Sequence, residues 1–407
     1  MGGLLPKPVT RKEIEDGREH LTGRYAFGVS SMQGWRQAME DAHMAVPDFD
    51  VERELGLFGV FDGHGGSAVA KVAAASFPKM LREQKSFIQG RYAEALYETF
   101  LAVDEFLDSA SGRAEVDRVV AAAPPDERDV EEEERTLMEL IESGELDPED
   151  LMEEEEAEEE EMEEDANLEQ SSASDAWANG EGPDGMGCTA VVALLRGGGQ
   201  PEVFCANAGD SRCVLVRGER AKNMSRDHKP ELKSERTRIH KAGGFISPDG
   251  RVDGNLNLSR SFGDFAYKKD KTRKAIEQKI SAEAEVKREL LGPADKFLAI
   301  GCDGIFEKVS SQQLVSFLLP HIRRRRRSDA PLSDACSAFL DHNLSKNPQK
   351  EGGLGCDNMT LMVIELQQSH SQRQAMPSPH FTKVLPPSSR RRMVMKWQRV
   401  KKAMVKV

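Results

Sequence analysis

The stretch from Leu57 to Gly66, LFGVFDGHGG, carries the clearest fold signal in the sequence. It begins with a short apolar run typical of a buried strand, and that run stops at an Asp-Gly step. A second stretch, Ala299 to Ile305 (AIGCDGI), has the same arrangement, so two strands deliver the aspartates Asp62 and Asp303 at their ends. Side chains at strand ends can converge on one edge of a sheet sandwich. We therefore expect these two carboxylates to lie close together.

Strand and helix patterns occur in groups along the chain. Strands bounded by Gly, Asp or Asn are predicted at 188–195, 201–206, 213–217, 296–302 and 358–366. Helices are predicted at 68–86, 91–107, 231–242 and 311–319. Helix pairs that separate two groups of strands favour an α+β fold, in which two packed antiparallel β-sheets are flanked by helices as an α-β-β-α sandwich.

Composition divides the chain into an arm, one large domain with an insertion, and a tail. Residues 1–22 are polar and weakly patterned and are predicted to be an N-terminal arm. Residues 23–370 are predicted to form a single domain, interrupted at 111–184 by a segment with little apolar material to bury. We expect this insertion to be disordered. Residues 371–407 are predicted to be a basic C-terminal tail.

The net charge of −14 comes from one segment of the chain. Residues 126–165 contain 24 acidic and 2 basic residues, a local charge of −22, so the remainder of the chain carries +8. Such a run is either a solvated, self-repelling tether or a segment that binds basic proteins. Because it repels phosphate backbones, nucleic-acid binding is not expected as the main activity.

Two basic segments have a charge opposite to that of the acidic insertion. Residues 323–327 are five consecutive arginines that follow a predicted helix. Residues 390–406 contain eight basic and no acidic residues, interleaved with apolar ones. This tail can be a nuclear import signal, an amphipathic helix for an acidic surface, an intramolecular partner of the insertion, or a solvated tail.

The lengths of the apolar runs and the spacing of the cysteines indicate the cellular compartment in which the protein is expected. The apolar run at 189–195 is far shorter than the roughly 18 residues of a spanning helix, and the start of the chain has no apolar segment. The six cysteines form no C-x-x-C pair and are expected to be core residues of a reduced protein, cytoplasmic or nuclear and monomeric. N-myristoylation at Gly2 remains an alternative, although Pro6 replaces the preferred Ser or Thr.

Further acids accompany the two strand-end aspartates. Asp357 precedes a predicted strand, Asp210 follows one, and Glu40-Asp41 adds an acidic pair. Carboxylates without a His or Cys cluster suit Mg²⁺ or Mn²⁺ rather than Zn²⁺ or copper. Two such ions about 3.5–4 Å apart can share a bridging carboxylate and a bridging water, which becomes a nucleophile suited to in-line attack on a phosphate ester.

Eight motifs, in this order, carry a family resemblance. They are RQAMEDAH at 36–43, DGHGG at 62–66, GCTA at 187–190, AGDSR at 208–212, DHKP at 227–230, LSRSFGD at 258–264, CDGIFE at 302–307 and Asp357-Asn358. Together they resemble the metal-dependent protein phosphatases, the type 2C serine/threonine phosphatases. The resemblance covers residues 25–366 apart from the insertion, and it implies the type 2C fold and phosphoserine and phosphothreonine proteins as substrates.

The resemblance implies a ligand set for two core metal ions, Mg²⁺ or Mn²⁺. Asp62 matches the carboxylate that bridges both ions. Asp303 and Asp357 match the remaining acids of the first ion. Glu40 and the backbone carbonyl of Gly63 match the ligands of the second. A metal-bridging hydroxide would then attack the phosphate directly, without a phosphoenzyme.

Four further residues have roles implied by the same resemblance. Asp41 matches an acid that orients metal-bound water, and Asp210 matches an acid of a third, weaker metal site. Arg36 matches the guanidinium that grips the phosphate, for which its bidentate fork is suited. His64 matches the general acid that protonates the departing serine or threonine oxygen. Of two other histidines, His43 is predicted to be structural, and His228 is predicted to be structural or to lie in a flap on the substrate side.

One departure from the family pattern concerns the third metal site. Glu307 stands where the family often has Asp, and its extra methylene moves the carboxylate.

The acidic insertion resembles that of gamma-type nuclear members in composition. The alternative function is therefore an inactive or weakly active phosphatase-fold scaffold that binds basic proteins through the insertion.

Overall fold

A computed structural model describes residues 4–18, 25–122, 184–328 and 330–366. The predicted insertion core at 123–183, the tail from 367, and the chain start that bears on lipidation lie outside the described residues. No helix in the described part of the chain is both long enough and apolar enough to cross a bilayer.

The strands form two antiparallel sheets. Sheet 1 has the order β1-β2-β12-β11-β7-β8, and sheet 2 has the order β10-β6-β5-β4-β3 with β9 paired to β5. The strands are β1 Val9–Arg18, β2 Tyr25–Gly34, β3 Ala42–Asp50, β4 Leu55–His64, β5 Gly187–Arg196, β6 Glu202–Ala208, β7 Arg212–Arg217, β8 Arg220–Asn223, β9 Phe262–Gly263, β10 Glu285–Leu290, β11 Asp295–Gly301 and β12 Met359–Leu366.

Helices cover the outer face of each sheet. The helices are α1 Ala68–Glu83, α2 Lys85–Ile88, α3 Tyr92–Asp108, α4 Ala110–Ala121, α5 Lys233–Lys241, α6 Asp303–Phe306, α7 Ser311–Ser328 and α8 Ser333–Asn343. Helices α1 and α3 pack on sheet 2, while α7 and α8 pack on sheet 1. The predicted α-β-β-α sandwich is confirmed.

Strand β5 explains why the sequence shows continuous apolar runs instead of alternation. Its residues Val191, Ala193 and Leu195 belong to the core between the two sheets. The alternate residues Val192 and Leu194 belong to the core under α1 and α3. Because successive side chains point to opposite faces and both faces are buried, every position of the strand is apolar.

Three segments differ from the sequence predictions. Residues 9–18 of the predicted arm form strand β1, which pairs with β2 at the edge of sheet 1. The mostly exposed side chains of β1 give no buried-face pattern, so its pairing is invisible in the sequence. Helix α7 continues to Ser328 through the arginine run, where Arg325 Nη1 lies 2.5 Å from Glu365 Oε2.

The third difference is helix α4, which occupies the first residues of the predicted insertion. Gly112 lies inside α4, and its N–H donates to Ser109 Oγ at 3.1 Å. A side chain there would collide with the end of α3, because an added Cβ would lie 1.9 Å from the carbonyl oxygen of Phe106. Val116 is fully buried and anchors α4 to the core of sheet 2.

A small subdomain around α5 is held by a buried charge network. Glu235 is fully buried and accepts hydrogen bonds from Arg238 at 2.5 Å and from Arg260 at 2.8 and 2.9 Å. Burial alone would raise the pKa of Glu235, but the two arginines outweigh burial and lower that pKa strongly. The network ties α5 to the segment that leads into β9.

Candidate active site

The predicted acids converge at one edge of the sandwich. Asp62 belongs to the end of β4 in sheet 2, whereas Asp303 follows β11 and Asp357 precedes β12 in sheet 1. The backbone N–H of Asp303 donates to Asp62 Oδ2 at 3.3 Å, which joins the ends of the two sheets. Ligand atoms of Asp303, Glu307 and Asp357 lie within 4.8 Å of one another, and so do those of Asp41, Asp62 and Cys302.

The cluster concentrates negative charge that the surrounding residues do not neutralise. Burial raises the pKa of Asp62 and of Asp303 well above the ordinary value, and repulsion from neighbouring carboxylates adds to it. Burial likewise raises the pKa of Asp41 to about 7. Carboxylates crowded in this way are stabilised in their ionised form by a cation placed among them.

The donor atoms fit a hard divalent cation. Asp41 Oδ2 accepts a hydrogen bond from Thr360 Oγ1 at 2.7 Å, whereas Asp41 Oδ1 is buried and has no hydrogen-bond partner among the described residues. Cys302 adds no thiolate, because burial raises the pKa of its thiol well above the ordinary value, and its Sγ accepts from the N–H of Thr360 at 3.1 Å. The available donors are therefore oxygens, which Mg²⁺ and Mn²⁺ prefer.

Glycine at position 63 lets the loop that carries Glu40 approach strand β4. A Cβ at Gly63 would lie 2.3 Å from the carbonyl oxygen of Glu40. Real Cβ atoms do not come this close to an oxygen, so a larger residue would push the backbone of Glu40 away from the end of β4. The glycine is thus required by close approach of two backbones.

Asn358 holds the same loop and was not assigned a role from the sequence. Its side-chain amide donates to the carbonyl oxygens of Gln33 and Ala38, both at 2.9 Å, and its Oδ1 accepts from the N–H of Glu40 at 2.9 Å. Asn358 is 6% exposed. One buried side chain therefore fixes the loop that carries both Arg36 and Glu40.

Arg36 lies beside the cluster and remains accessible. Its Nη2 is 2.5 Å from Asp357 Oδ2, and its side chain is 46% exposed. Burial lowers the pKa of Arg36, but the nearby carboxylates, Asp357 first, outweigh burial and raise that pKa. The guanidinium is charged and can reach an anion at the mouth of the site.

Asp210 is a member of neither carboxylate group. Its carboxylate forms an ion pair with Lys229 Nζ and is 3% exposed. Its charge still contributes to raising the pKa values of Asp62 and Asp303, so it lies near the cluster. An ion bound by Asp210 would have to displace the lysine ammonium. Glu307, by contrast, lies in the group with Asp303 and Asp357.

His64 contacts the carboxylate of Asp264, to which the sequence motifs assign no role. Its Nε2 lies 2.9 Å from both Oδ1 and Oδ2 of Asp264, a residue 200 positions further along the chain. Burial lowers the pKa of His64, but Asp264 outweighs burial and raises it. The sequence signal for Asp264 was its place in the LSRSFGD motif, which carries no information about its partner.

The other two histidines singled out in the sequence lie in structural contacts. His43 Nε2 is 2.9 Å from Glu15 Oε2 of strand β1. His228 is fully buried, and its Nδ1 accepts from the N–H of Gly209 at 3.2 Å. Burial, assisted by Arg260, lowers the pKa of His228 to about 4, so its imidazole is neutral at pH 7.

Comparisons with known proteins identify the class of protein that this fold and site define. The family model for protein phosphatase 2C matches residues 25–123 and 130–351. The chain is 37% identical over 380 residues to a probable protein phosphatase 2C of Oryza sativa, covering 92% of each chain. It is 35% identical to a probable protein phosphatase 2C of Arabidopsis thaliana, covering 96% of each.

Solved structures support the same fold. The crystal structure of a phosphatase from Toxoplasma gondii matches with a TM-score of 0.57 at 19% identity, covering 88% of this chain and 98% of that one. The chain belongs to the protein phosphatase 2C family, the metal-dependent serine/threonine protein phosphatases.

Proposed function

We propose that the carboxylate cluster is the centre of phosphate-ester hydrolysis on phosphoserine and phosphothreonine proteins. The observation that carries the proposal is that the grouped carboxylates of Asp303 and Asp357 adjoin Asp62, whose Oδ2 accepts from the N–H of Asp303, beside the exposed guanidinium of Arg36. Negative carboxylates alone repel a phosphate. The site therefore needs cations between the acids and the substrate, and it offers oxygen donors for them.

The proposed ligands of two Mg²⁺ or Mn²⁺ ions are Asp62, Asp303, Asp357, Glu40 and the carbonyl of Gly63. Bound ions would supply a water molecule of lowered pKa and positive charge against the phosphate oxygens. The buried, unpartnered Oδ1 of Asp41 is available to accept a hydrogen bond from such a water. A third ion at Asp210 would have to displace Lys229 from that carboxylate.

Arg36 binds and orients the phosphate in this proposal. Its planar fork can donate two hydrogen bonds to two phosphate oxygens, which fixes the phosphorus relative to the acids. The contact with Asp357 at 2.5 Å holds the guanidinium at the cluster before substrate arrives. Orientation of this kind lowers the barrier because the reacting groups lose less freedom on reaching the transition state.

His64 supplies the proton that the leaving group needs. A serine or threonine alkoxide is a poor leaving group, so a positioned donor near the ester oxygen accelerates its departure. The side chain of His64 is 27% exposed and lies at the end of β4, two residues after Asp62. Its exposure and its position next to Asp62 support this role.

Thiol chemistry offers no competing route. All six cysteines are buried. Burial raises the pKa of Cys188 and Cys302 well above the ordinary value of a thiol, and thiolate is the nucleophilic form. We therefore expect activity to be insensitive to alkylating reagents.

The test is hydrolysis of para-nitrophenyl phosphate and of a phosphothreonine peptide by the full chain, with Mn²⁺, with Mg²⁺ and with EDTA. We expect turnover that EDTA abolishes and added metal restores, and a loss of at least about 100-fold in Asp303→Asn. The matched control is Asp295→Asn, which alters a buried carboxylate at the opposite end of β11, bound there by Arg217.

Turnover that survives complete metal removal would overturn the proposal. Absence of turnover with metal bound would favour the scaffold for basic proteins. That alternative rests on residues 126–165, which lie outside the described residues. Deleting those residues should then abolish capture of basic proteins.

A further inference from the structure

We propose that Asp264 is a positioning residue for His64, holding its imidazole by Nε2 so that Nδ1 delivers the proton to the leaving oxygen. This inference rests on the proposed acid role of His64. Both carboxylate oxygens of Asp264 lie 2.9 Å from Nε2, a symmetrical contact that fixes the ring at one end. Nδ1 has no hydrogen-bond partner among the described residues, and His64 is partly exposed.

The environment of Asp264 is built around this contact. Asp264 is 2% exposed and has a left-handed backbone with φ of 52°. Its Oδ2 also accepts a hydrogen bond from Ser261 Oγ. A buried carboxylate is costly unless it is paired, and non-glycine residues rarely adopt this backbone. Both features occur at the residue whose carboxylate lies within hydrogen-bond distance of His64 Nε2.

Strand β5 leaves room for the pair by having glycine at position 187. A Cβ on Gly187 would lie 2.3 Å from Asp264 Oδ2 and 2.6 Å from His64 Nε2. Any side chain at this position would therefore separate the carboxylate from the imidazole. The backbone of β5 runs against the contact and closes it on one side.

A second buried ion pair braces the turn that carries Asp264. Lys268 Nζ lies 2.8 and 2.9 Å from the two oxygens of Asp104 on helix α3, and it donates to the carbonyl of Ser261 at 2.9 Å. Asp104 also accepts from the N–H of Gly263 at 3.0 Å. The residues immediately before Asp264 are therefore fixed to α3, which packs on sheet 2.

The proton balance of the step follows from this arrangement. The imidazolium donates Nε2–H to Asp264 and presents Nδ1–H to the ester oxygen. As the phosphorus–oxygen bond breaks, its electron pair goes to the serine or threonine oxygen, which takes the Nδ1 proton. The imidazole is left neutral with its lone pair on Nδ1, and water returns the proton before the next cycle. Asp264 remains a carboxylate throughout.

The test is a double-mutant cycle with two leaving groups. Wild type, Asp264→Asn, His64→Gln and the double variant are assayed with a phosphothreonine peptide and with para-nitrophenyl phosphate, whose leaving group needs no proton. Asparagine keeps the size of the side chain and tolerates the left-handed backbone. We expect kcat for Asp264→Asn to fall about 10- to 100-fold on the peptide and less than about threefold on the aryl ester.

The cycle separates positioning from a general structural effect. If Asp264 acts through His64, Asp264→Asn should change kcat less than about twofold when His64→Gln is already present. Equal losses on both esters, or independent losses in the double variant, would overturn the inference. Asp295→Asn controls for removal of a buried carboxylate.

A milder variant covers the case in which Asp264→Asn does not fold. Ser261→Ala removes only the hydrogen bond from Ser261 Oγ, and it should lower kcat about three- to tenfold with the same selectivity for the peptide. Retention of full activity on the peptide by this variant would count against the inference. If His64→Gln lowers kcat equally on both esters, the acid role of His64 in the proposed function is wrong. If His64→Gln lowers kcat selectively on the peptide but Asp264→Asn does not, only the positioning role of Asp264 is refuted.

Discussion

Replacing Asn358 with alanine tests whether one buried amide assembles the site. The substitution removes three hydrogen bonds, to the carbonyls of Gln33 and Ala38 and from the N–H of Glu40, each 2.9 Å long. At about 1 kcal/mol net for each bond, the loop loses on the order of 3 kcal/mol. For a domain of about 300 residues, with an unfolding entropy of about 2.1 cal/mol/K per residue, that corresponds to roughly 5 °C in Tm.

The same loss should appear in catalysis because the loop carries Arg36 and Glu40. If misplacement of these two groups lowers transition-state stabilisation by the same 3 kcal/mol, kcat/KM falls about 100-fold, since each 1.4 kcal/mol is a factor of ten. The assay is para-nitrophenyl phosphate hydrolysis across a Mn²⁺ titration, with Tm by calorimetry. We expect Asn358→Ala to need more Mn²⁺ for half-maximal activity, because Glu40 is a proposed metal ligand.

The matched control for Asn358→Ala is Gln278→Ala. Gln278 is also a buried amide that bridges two backbone carbonyls, those of Asp270 and Arg273, at 2.7 and 3.3 Å. Its loss should lower Tm but leave the Mn²⁺ dependence unchanged. If Asn358→Ala keeps its Tm within about 1 °C and its kcat/KM within about threefold of wild type, the loop is held by other contacts and the reasoning is refuted.

Three further changes have defined outcomes. Gly63→Ala should raise the Mn²⁺ requirement in the same assay, because its Cβ would lie 2.3 Å from the Glu40 carbonyl, whereas Gly199→Ala, which has no atom within 4 Å of its Cβ, should not. The buried neutral His228, with its pKa lowered to about 4, contributes stability that is present above pH 6.5 and is lost as the pH falls toward 4. Between pH 7.5 and pH 4.5, the free energy of unfolding measured in urea should fall by about 3 kcal/mol less in His228→Gln than in wild type. Glu235→Gln should cost about 3–5 kcal/mol in urea unfolding at pH 7, because it leaves two buried arginines without their carboxylate.

A specific result would contradict each of these three predictions. Wild-type Mn²⁺ dependence in Gly63→Ala would mean that the end of β4 can move without affecting Glu40. An unchanged pH dependence in His228→Gln would mean that other groups, not the imidazole, cause the acid sensitivity. Wild-type stability of Glu235→Gln would mean that the arginines find solvent or other acceptors.

The sequence was sufficient for the elements whose signal is local. Strand β4 is visible because a continuous apolar run stops at Asp62-Gly63, and helix α3 is visible because its buried residues repeat with helical spacing. The acids stand at the ends of apolar strands, Asp62 in β4, Asp303 after β11 and Asp357 before β12, so their convergence could be predicted from the sequence. The edge strand β1 could not, because its exposed side chains carry no periodic pattern.

Contacts between distant positions were outside the reach of sequence reasoning. The hydrogen bond between His64 and Asp264 spans 200 positions, and that between Asn358 and Glu40 spans 318. Neither partner differs locally from an ordinary turn residue. The carboxylate of Asp210 likewise could not be predicted to pair with Lys229, because strands β7 and β8 and the loop after them lie between the two residues.

Hydrolysis of the phosphothreonine peptide across a Mn²⁺ titration, by wild type and by Asp62→Asn, tests the central claim most directly. Asp62 contributes to the junction of the two sheets and is the proposed ligand of both ions. We predict saturable, Mn²⁺-dependent turnover in wild type and no turnover in a folded Asp62→Asn at the Mn²⁺ concentration that saturates wild type. Turnover by Asp62→Asn with the Mn²⁺ dependence of wild type would contradict the assignment of the carboxylate cluster as the active site.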